Sequence, residues 1–307
     1  MDASAKLKLI QKASGMTQEQ TAQKLGVTFA SLNRWINGRA TPRKGAEEKI
    51  DRLYRQITGQ KEIPDQNLEA KKKLLARKSN GYSSIIKTIL DNPDIRDEFI
   101  LKLTYHSNRI EGSTLDEDET AAILFDNVTV PNKTLIEHLE AKNHKTAMEY
   151  MFSHAAQKNQ IDKEFIMKLH GILMNSIRDD AGLWRCHGVR IVGANVPTAN
   201  YAKIPVLMDE LAKKINAKER DIISLATRIH AEFEKIHPFS DGNGRVGRLM
   251  MYAMFLRRDY APPVILQENK RQYNLYLNKA QTEDDQSMLE DFIADAALAG
   301  FAVLERK

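Results

Sequence analysis

Only one cysteine, Cys186, and two tryptophans occur in the 307 residues of the chain. A single thiol excludes an internal disulfide framework and fits a reducing compartment. The eight histidines show no zinc-ligand spacing with it. No apolar run approaches the ~18 residues of a membrane span. The opening residues lack the apolar core of a secretory signal, so the cytoplasm is the expected location and no membrane partner is expected. Glycine and proline are sparse, and neither an internal repeat nor a low-complexity tract is present.

What is present is ordinary for a soluble globular protein, 42% hydrophobic and 28% charged, with length enough for two domains. The net charge of +5 is unevenly placed. Residues 1–60 hold eleven Lys/Arg against five Asp/Glu, a net +6, so the remainder sums to −1. The basic excess therefore points to nucleic acid at the N-terminal end alone.

That end reads as four short helices. Residues 3–13 place Leu7 and Ile10 inward, and Thr17-Gln-Glu-Gln20 has the form of a capping box. Gly26-Val27 turns the chain, Thr28 opens a third helix carrying Leu32, Trp35 and Ile36, and Asn37-Gly38 closes it. Pro42 opens a fourth, with Ile50, Leu53 and Tyr54 on one face. Over residues 3–56 this pattern resembles the repressor-type helix-turn-helix family. The resemblance implies DNA binding, with Ser31, Asn33 and Arg34 in the major groove and Arg39, Thr41, Arg43 and Lys44 near phosphates.

Residues 61–80 read as a linker passing into a solvated helix, with the run Lys71-Lys-Lys73 on its water-facing side. Beyond it the apolar residues recur at helical spacing, as in Ile95, Phe99 and Leu103. One segment departs from this. Val189-Arg-Ile191-Val192 alternates, Gly193-Ala-Asn195 is turn-like, and together they predict a short β-hairpin over about residues 189–198.

The most informative stretch is His237-Pro-Phe-Ser-Asp-Gly-Asn-Gly-Arg-Val-Gly-Arg248. The periodic run Ile222, Leu225, Ile229, Phe233, Ile236 predicts a helix ended by Pro238, and a new helix is expected from about Gly244. Gly242, Asn243 and Gly244 then lie at a helix N-terminus, where free N–H groups and the dipole attract anions. Arg245 and Arg248, three apart, can grip one polyphosphate. Asp241 can hold Mg²⁺ against phosphate oxygens, and His237 can take a proton from an attacking hydroxyl.

The stretch fits the signature of Fic domains, His-x-Phe-x-(Asp/Glu)-Gly-Asn-Gly-Arg-x-x-Arg, at all eight defined positions, and the resemblance extends over about residues 80–300, including Gly182-Leu-Trp-Arg185. It implies protein adenylyltransferase activity. His237 would deprotonate a Tyr, Ser or Thr hydroxyl of a target protein, which attacks the α-phosphate of ATP and takes AMP. The resemblance further assigns Mg²⁺ to Asp241, the phosphates to Gly242, Asn243, Gly244, Arg245 and Arg248, and target alignment to Val189, Ile191, Val192 and Gly193. Arg271-Gln-Tyr-Asn-Leu-Tyr-Leu277 is similar to a family segment beside the nucleotide, which assigns Tyr273 there, while Asn274 departs from the family pattern.

Ser107-Asn-Arg-Ile-Glu111-Gly112 ends a helix expected from about Asp94. Leu103, Ser107 and Glu111 share one stripe, and Gly112 is a natural stop. Within a Fic protein this resembles the inhibitory (Ser/Thr)-x-x-x-Glu-(Gly/Asn) motif, which implies that Glu111 competes with the γ-phosphate for Arg248. His170 and His230 are expected to be packed or capping histidines.

The expected architecture is therefore all-α: a helix-turn-helix domain over 1–60, a connection over 61–80, and over 81–307 a Fic-type helical bundle with a small β-hairpin flap. The expected function is transfer of AMP from ATP, with Mg²⁺, to a target protein or to the chain itself. The alternatives are a DNA-binding regulator with a nucleotide-sensing Fic domain, or transfer or removal of another phosphate-containing group. Homo-oligomerisation is left open.

Overall fold

The computed structural model describes residues 3–58, 65–190, 196–283 and 285–306. The chain divides into two units, Met1–Pro64 and Asp65–Lys307.

The first unit holds α1 (Ala3–Ser14), α2 (Gln18–Leu25), α3 (Phe29–Ile36) and α4 (Lys44–Thr58). Thr17 and Gln20 form the expected capping box at the start of α2, and Gly26 ends it at φ 65°. The turn is tight because a left-handed residue lets the chain reverse within one position. Leu7, Ile10, Ala22, Leu25, Leu32, Ile36, Ile50, Leu53 and Tyr54 make the core. Trp35, expected inward, packs only partly buried against its edge.

The second unit contains α5 (Asp65–Ser79), α6 (Ile85–Asp91), α7 (Pro93–Glu111), α8 (Glu117–Ala121), α9 (Leu135–Ala156), α10 (Lys163–Leu173), α11 (Ile204–Ile215), α12 (Ile222–Ile236), α13 (Asn243–Arg257), α14 (Lys270–Thr282) and α15 (Ser287–Leu304). α13 is the central helix, packing against α12, α9, α10 and α7. Every residue from Arg245 to Leu256 is buried, which is why its sequence lacks a polar face. α7 starts on Pro93 after the Asn92 cap and stops at Gly112, and Asp221 caps α12.

Two expectations change. Lys71 and Lys72 are not on a solvated face. Lys71 pairs with Asp291 and Asp295, and Lys72 with Asp221 and Glu290, which pins α5 to α15 and to the start of α12. The centre of the expected hairpin, Ile191, Val192 and Gly193, lies outside the described residues. No strand forms among the described residues. The flanks are joined by a side chain, with Thr198 Oγ1 donating to the Val189 carbonyl at 2.8 Å, where a backbone ladder was expected.

Candidate active site

The turn between α12 and α13 presents the motif. His237 leaves α12 in a left-handed conformation, φ 52° and ψ 62°, its N–H still bonded to the Phe233 carbonyl. Phe239 is fully buried and stacks on His170 at 3.8 Å, with Trp184 at 4.9 Å. Asn243 closes the turn with its side chain: Oδ1 accepts from Phe239 N–H and Nδ2 donates to Phe239 O, each at 2.9 Å. Its amide group is thus spent on the loop, leaving its backbone N–H in the first helical turn, where no intrahelical acceptor exists.

Gly242 adopts φ 74°, and a Cβ there would collide with Met174. Gly244 faces Glu111 so closely that a Cβ would strike its carboxylate. The left-handed backbone at Gly242 favours glycine, and at both positions a side chain would displace the Met174 or Glu111 end that packs there. Asp241 is exposed and its Oδ1 accepts from Gly242 N–H at 2.6 Å. No cluster of three His, Cys, Asp or Glu side chains suited to a metal occurs among the described residues. A single exposed carboxylate fits Mg²⁺, which takes one or two carboxylates and completes its shell with phosphates and waters.

Both motif arginines are held by acids from other helices. Arg248, 1% exposed, donates from Nε to Ser107 Oγ at 2.9 Å, and from Nη2 to Ser107 O at 3.1 Å and Glu111 Oε1 at 2.7 Å. Burial pushes the Glu111 carboxyl up, but the Arg248 charge and hydrogen bond, helped by Arg245 and Lys270, hold it below its ordinary value. Protein surrounds the carboxylate, although 35% of the side chain still meets solvent. Arg245, 4% exposed, donates from Nη1 to Glu140 Oε1 at 2.6 Å.

Behind Arg248 lies a polar layer. Tyr273 is 2% exposed and its hydroxyl meets His230 Nε2 at 2.5 Å. It is thus buried, with Arg248 among its neighbours. Glu234 is buried, and desolvation, with Glu111 adding to it against Arg248, pushes its pKa up to about 8. Glu234 Oε1 and His230 Nδ1 have no protein hydrogen-bond partner. Burial lowers the pKa of His237, with Arg185 adding to the effect, while Glu234, Glu111 and Asp241 oppose it. The net direction is downward, so the imidazole is neutral at pH 7 and able to accept a proton.

His170 is a loop-holding histidine. Its Nδ1 accepts from Gly182 N–H at 2.8 Å, which leaves Nε2 to donate to the Asp241 carbonyl at 3.2 Å. Glu140 and Glu234 were not legible as site residues, since each meets the site through the fold and no motif position marks it; Arg185 lay in the family-like stretch Gly182-Leu-Trp-Arg185 but without a role. In the first unit, Arg34 and Arg39 are exposed, while Ser31 and Asn33 are half-buried. Asn33 is further engaged by Gln18 and Asn37, and Ser31 by Thr28.

Residues 160–255 match the Fic/DOC family and residues 7–54 match the helix-turn-helix family. The protein adenylyltransferase Fic of Aedes aegypti is 30% identical over 226 residues, covering 72% of this chain and 45% of that protein. Its namesake from Nematostella vectensis is 33% identical over 192 residues, covering 59% and 43%. The chain spans less than half the length of these curated relatives. Two solved structures share the fold. A Fic domain containing signalling protein from Bacteroides thetaiotaomicron is 23% identical, covers 76% of this chain and 95% of its own, and has a TM-score of 0.66. Fic-1 from C. elegans is 19% identical, covers 98% and 86%, and has a TM-score of 0.69. The chain carries a Fic domain behind an N-terminal helix-turn-helix domain.

Proposed function

We propose that the chain is a protein adenylyltransferase, moving AMP from ATP to a Tyr, Ser or Thr hydroxyl of a target protein or of itself, and held off at rest by Glu111. The observation that carries this reading is the pairing of Arg248 with Glu111 directly beside the first turn of α13. An anion site has both of its cations paired with internal carboxylates, and Glu111 is the one seated against the first turn of α13. In the active form His237 takes the hydroxyl proton, and the N–H groups at the start of α13 with Arg245 and Arg248 stabilise the charge that builds on the phosphates. Asp241 would hold Mg²⁺, which supplies further charge neutralisation on the phosphate oxygens. Ser107 and Gly112 belong to the brake, Ser107 by bonding Arg248 and Gly112 by ending α7 at φ 112°. Relatives with the adenylyltransferase name support the choice of ATP as donor.

The first unit is proposed to bind DNA through α3 and the exposed Arg34 and Arg39, and the cytoplasm is the proposed location. Domain limits follow the division at Pro64 and Asp65.

The test is labelled ATP with Mg²⁺ and the purified Glu111→Gly chain. AMP incorporation should rise at least tenfold over the parent chain, a shift of about 1.4 kcal/mol or more in the balance for Arg248. Adding His237→Ala should reduce it by roughly 10²–10⁴-fold with ATP binding kept. Mass spectrometry reads the transferred mass. No gain on releasing Glu111, or full activity without His237, removes this reading.

A further inference from the structure

A helix C-terminus leaves its last carbonyls without intrahelical donors, and α12 ends so at the residue on which the chemistry is proposed to turn. Arg185 supplies donors to the last of them and to the two carbonyls that follow. Its Nη2 donates to the Ile236 carbonyl at 3.3 Å, its Nε to the His237 carbonyl at 2.7 Å, and its backbone N–H to the Pro238 carbonyl at 3.0 Å. Three consecutive carbonyls are thus satisfied by one residue. The same guanidinium reaches in the other direction to both sides of the segment expected to align the target: Nη1 donates to His187 O and Nη2 to Ala199 O, each at 2.6 Å.

Arg185 is 3% exposed, and no carboxylate pairs with it among the described residues. A buried charge without a counter-ion is costly to keep. This one is held only by backbone carbonyls, and a rigid fork of five donors is the side chain that can span three separate strands of backbone at once. A lysine at the same place has one nitrogen and reaches one or two of them. His237, a non-glycine residue at φ 52°, lies in the conformation that these bonds hold.

We infer that Arg185 is a positioning residue that fixes the catalytic imidazole against His187 and Ala199, and thereby sets the approach of the acceptor hydroxyl without acting on ATP. It rests on the proposed transfer reaction for its activity readout and on the hydrogen bonds alone for its structural one. Its carbonyl partners are Ile236, His237 and Pro238, which precede Gly242, and His187 and Ala199, whereas the phosphate-binding groups begin at Gly242 and belong to α13. A displacement of about 1 Å between reacting groups is enough to cost on the order of 10²-fold in rate.

The experiment uses the full chain carrying Glu111→Gly, alone and with Arg185→Lys or Arg185→Met, and follows AMP incorporation into the chain over a range of ATP concentrations. Both variants should lower the maximal rate about 100-fold while half-saturating ATP stays within about twofold. Failure of the lysine to rescue separates fork geometry from charge. Backbone amide exchange, read on the same proteins without ATP, should quicken at 185–190 and 236–239 and stay unchanged through α13. A retained rate in either variant, or exchange that rises equally through α12 and α13 with a parallel loss of ATP affinity, overturns the inference. If the Glu111→Gly chain incorporates no AMP, the proposed function fails by itself. The exchange comparison then still decides the clamp: local quickening supports it, and unchanged exchange overturns it.

Discussion

Arginine is used in opposite ways by the two units. In the helix-turn-helix unit Arg34 and Arg39 stand exposed on or just after α3, around an apolar core that contains no arginine. In the Fic unit Arg185, Arg245 and Arg248 are each less than 5% exposed. Arg34 and Arg39 stand in water, where a ligand can reach them. The arginines of the second unit are already desolvated and must be held by Glu111, Glu140, Ser107 or backbone carbonyls until a phosphate replaces a carboxylate. The contrast extends to neighbouring side chains. Burial, with Arg248 adding to it, pushes His144 and His230 down to about 3. Burial, with the arginines adding to it, thus keeps these histidines neutral and leaves the positive charge where an anion is expected. A preorganised cation costs stability and reacts without rearrangement; an exposed one costs almost nothing and pays out little until it is bound.

The largest consequence concerns Arg248. Replacing it by methionine leaves Glu111 without its partner and the Ser107 hydroxyl and carbonyl without the guanidinium that donates to them, inside a site that excludes water from the arginine itself. Breaking one side of such a buried pair typically costs about 3–5 kcal/mol. Because Glu111 retains some solvent contact, the lower end is expected. Arg248→Met should therefore lower the denaturant midpoint clearly and abolish ATP binding. The double variant with Glu111→Gln should recover part of the stability and none of the binding. A stable, ATP-binding Arg248→Met chain would erase the distinction between the units.

Glu234 gives a smaller effect with a definite sign. Its folded pKa is about 8 against an ordinary 4.5. Between those values the unfolded chain has lost the proton and the folded chain keeps it, so this group's contribution makes stability fall as pH rises from about 4.5 to 8 and level off above. Glu234→Gln keeps the shape and removes the titration. Its thermal midpoint should gain on the parent progressively over that window, worth a few kcal/mol at most at about 1.4 kcal/mol per pH unit of separation. Parallel midpoints from pH 5 to 8 would show that the carboxyl is not held protonated.

Much of this was legible in the chain and some was not, for identifiable reasons. Helix limits are local events. Thr17, Gly26, Gly112 and Pro238 mark them because caps and stops act within four residues. The motif at 237–248 is contiguous, so its parts could be named before their geometry was known. The pairing of Glu111 with Arg248, 137 residues apart, was accessible only through family resemblance. Glu140 carried no such marker, being an acid among several on α9; Arg185 lay in a family-like stretch, but its role did not show, because its partners are carbonyls that any sequence possesses. Lys71 and Lys72 misled for the complementary reason, since a charge run looks solvated until the acids of α15 are placed against it. Tyr273 was placed beside the nucleotide by resemblance, and its burial against His230 depends on the packing of α12 on α14.

The smallest effect on the fold is expected at Arg34. Its side chain is exposed, so Arg34→Ala should change the stability of the chain by no more than about 0.5 kcal/mol. If α3 enters the major groove, the same substitution should weaken DNA binding. A base-edge contact would cost about 1–3 kcal/mol for the preferred sequence and relax preference at one position, whereas a phosphate contact would weaken all sequences alike and reduce the salt slope by about one. Asn33 is the informative companion, because it is tied to Gln18 and Asn37. Asn33→Ala should disturb both α3 and its DNA contacts if it reads a base, and α3 alone if those hydrogen bonds are its whole role. Titrating labelled duplex at several salt concentrations, beside a melting curve for each variant, separates these cases. DNA affinity that survives deletion of residues 1–60 would remove the assignment of binding to this unit.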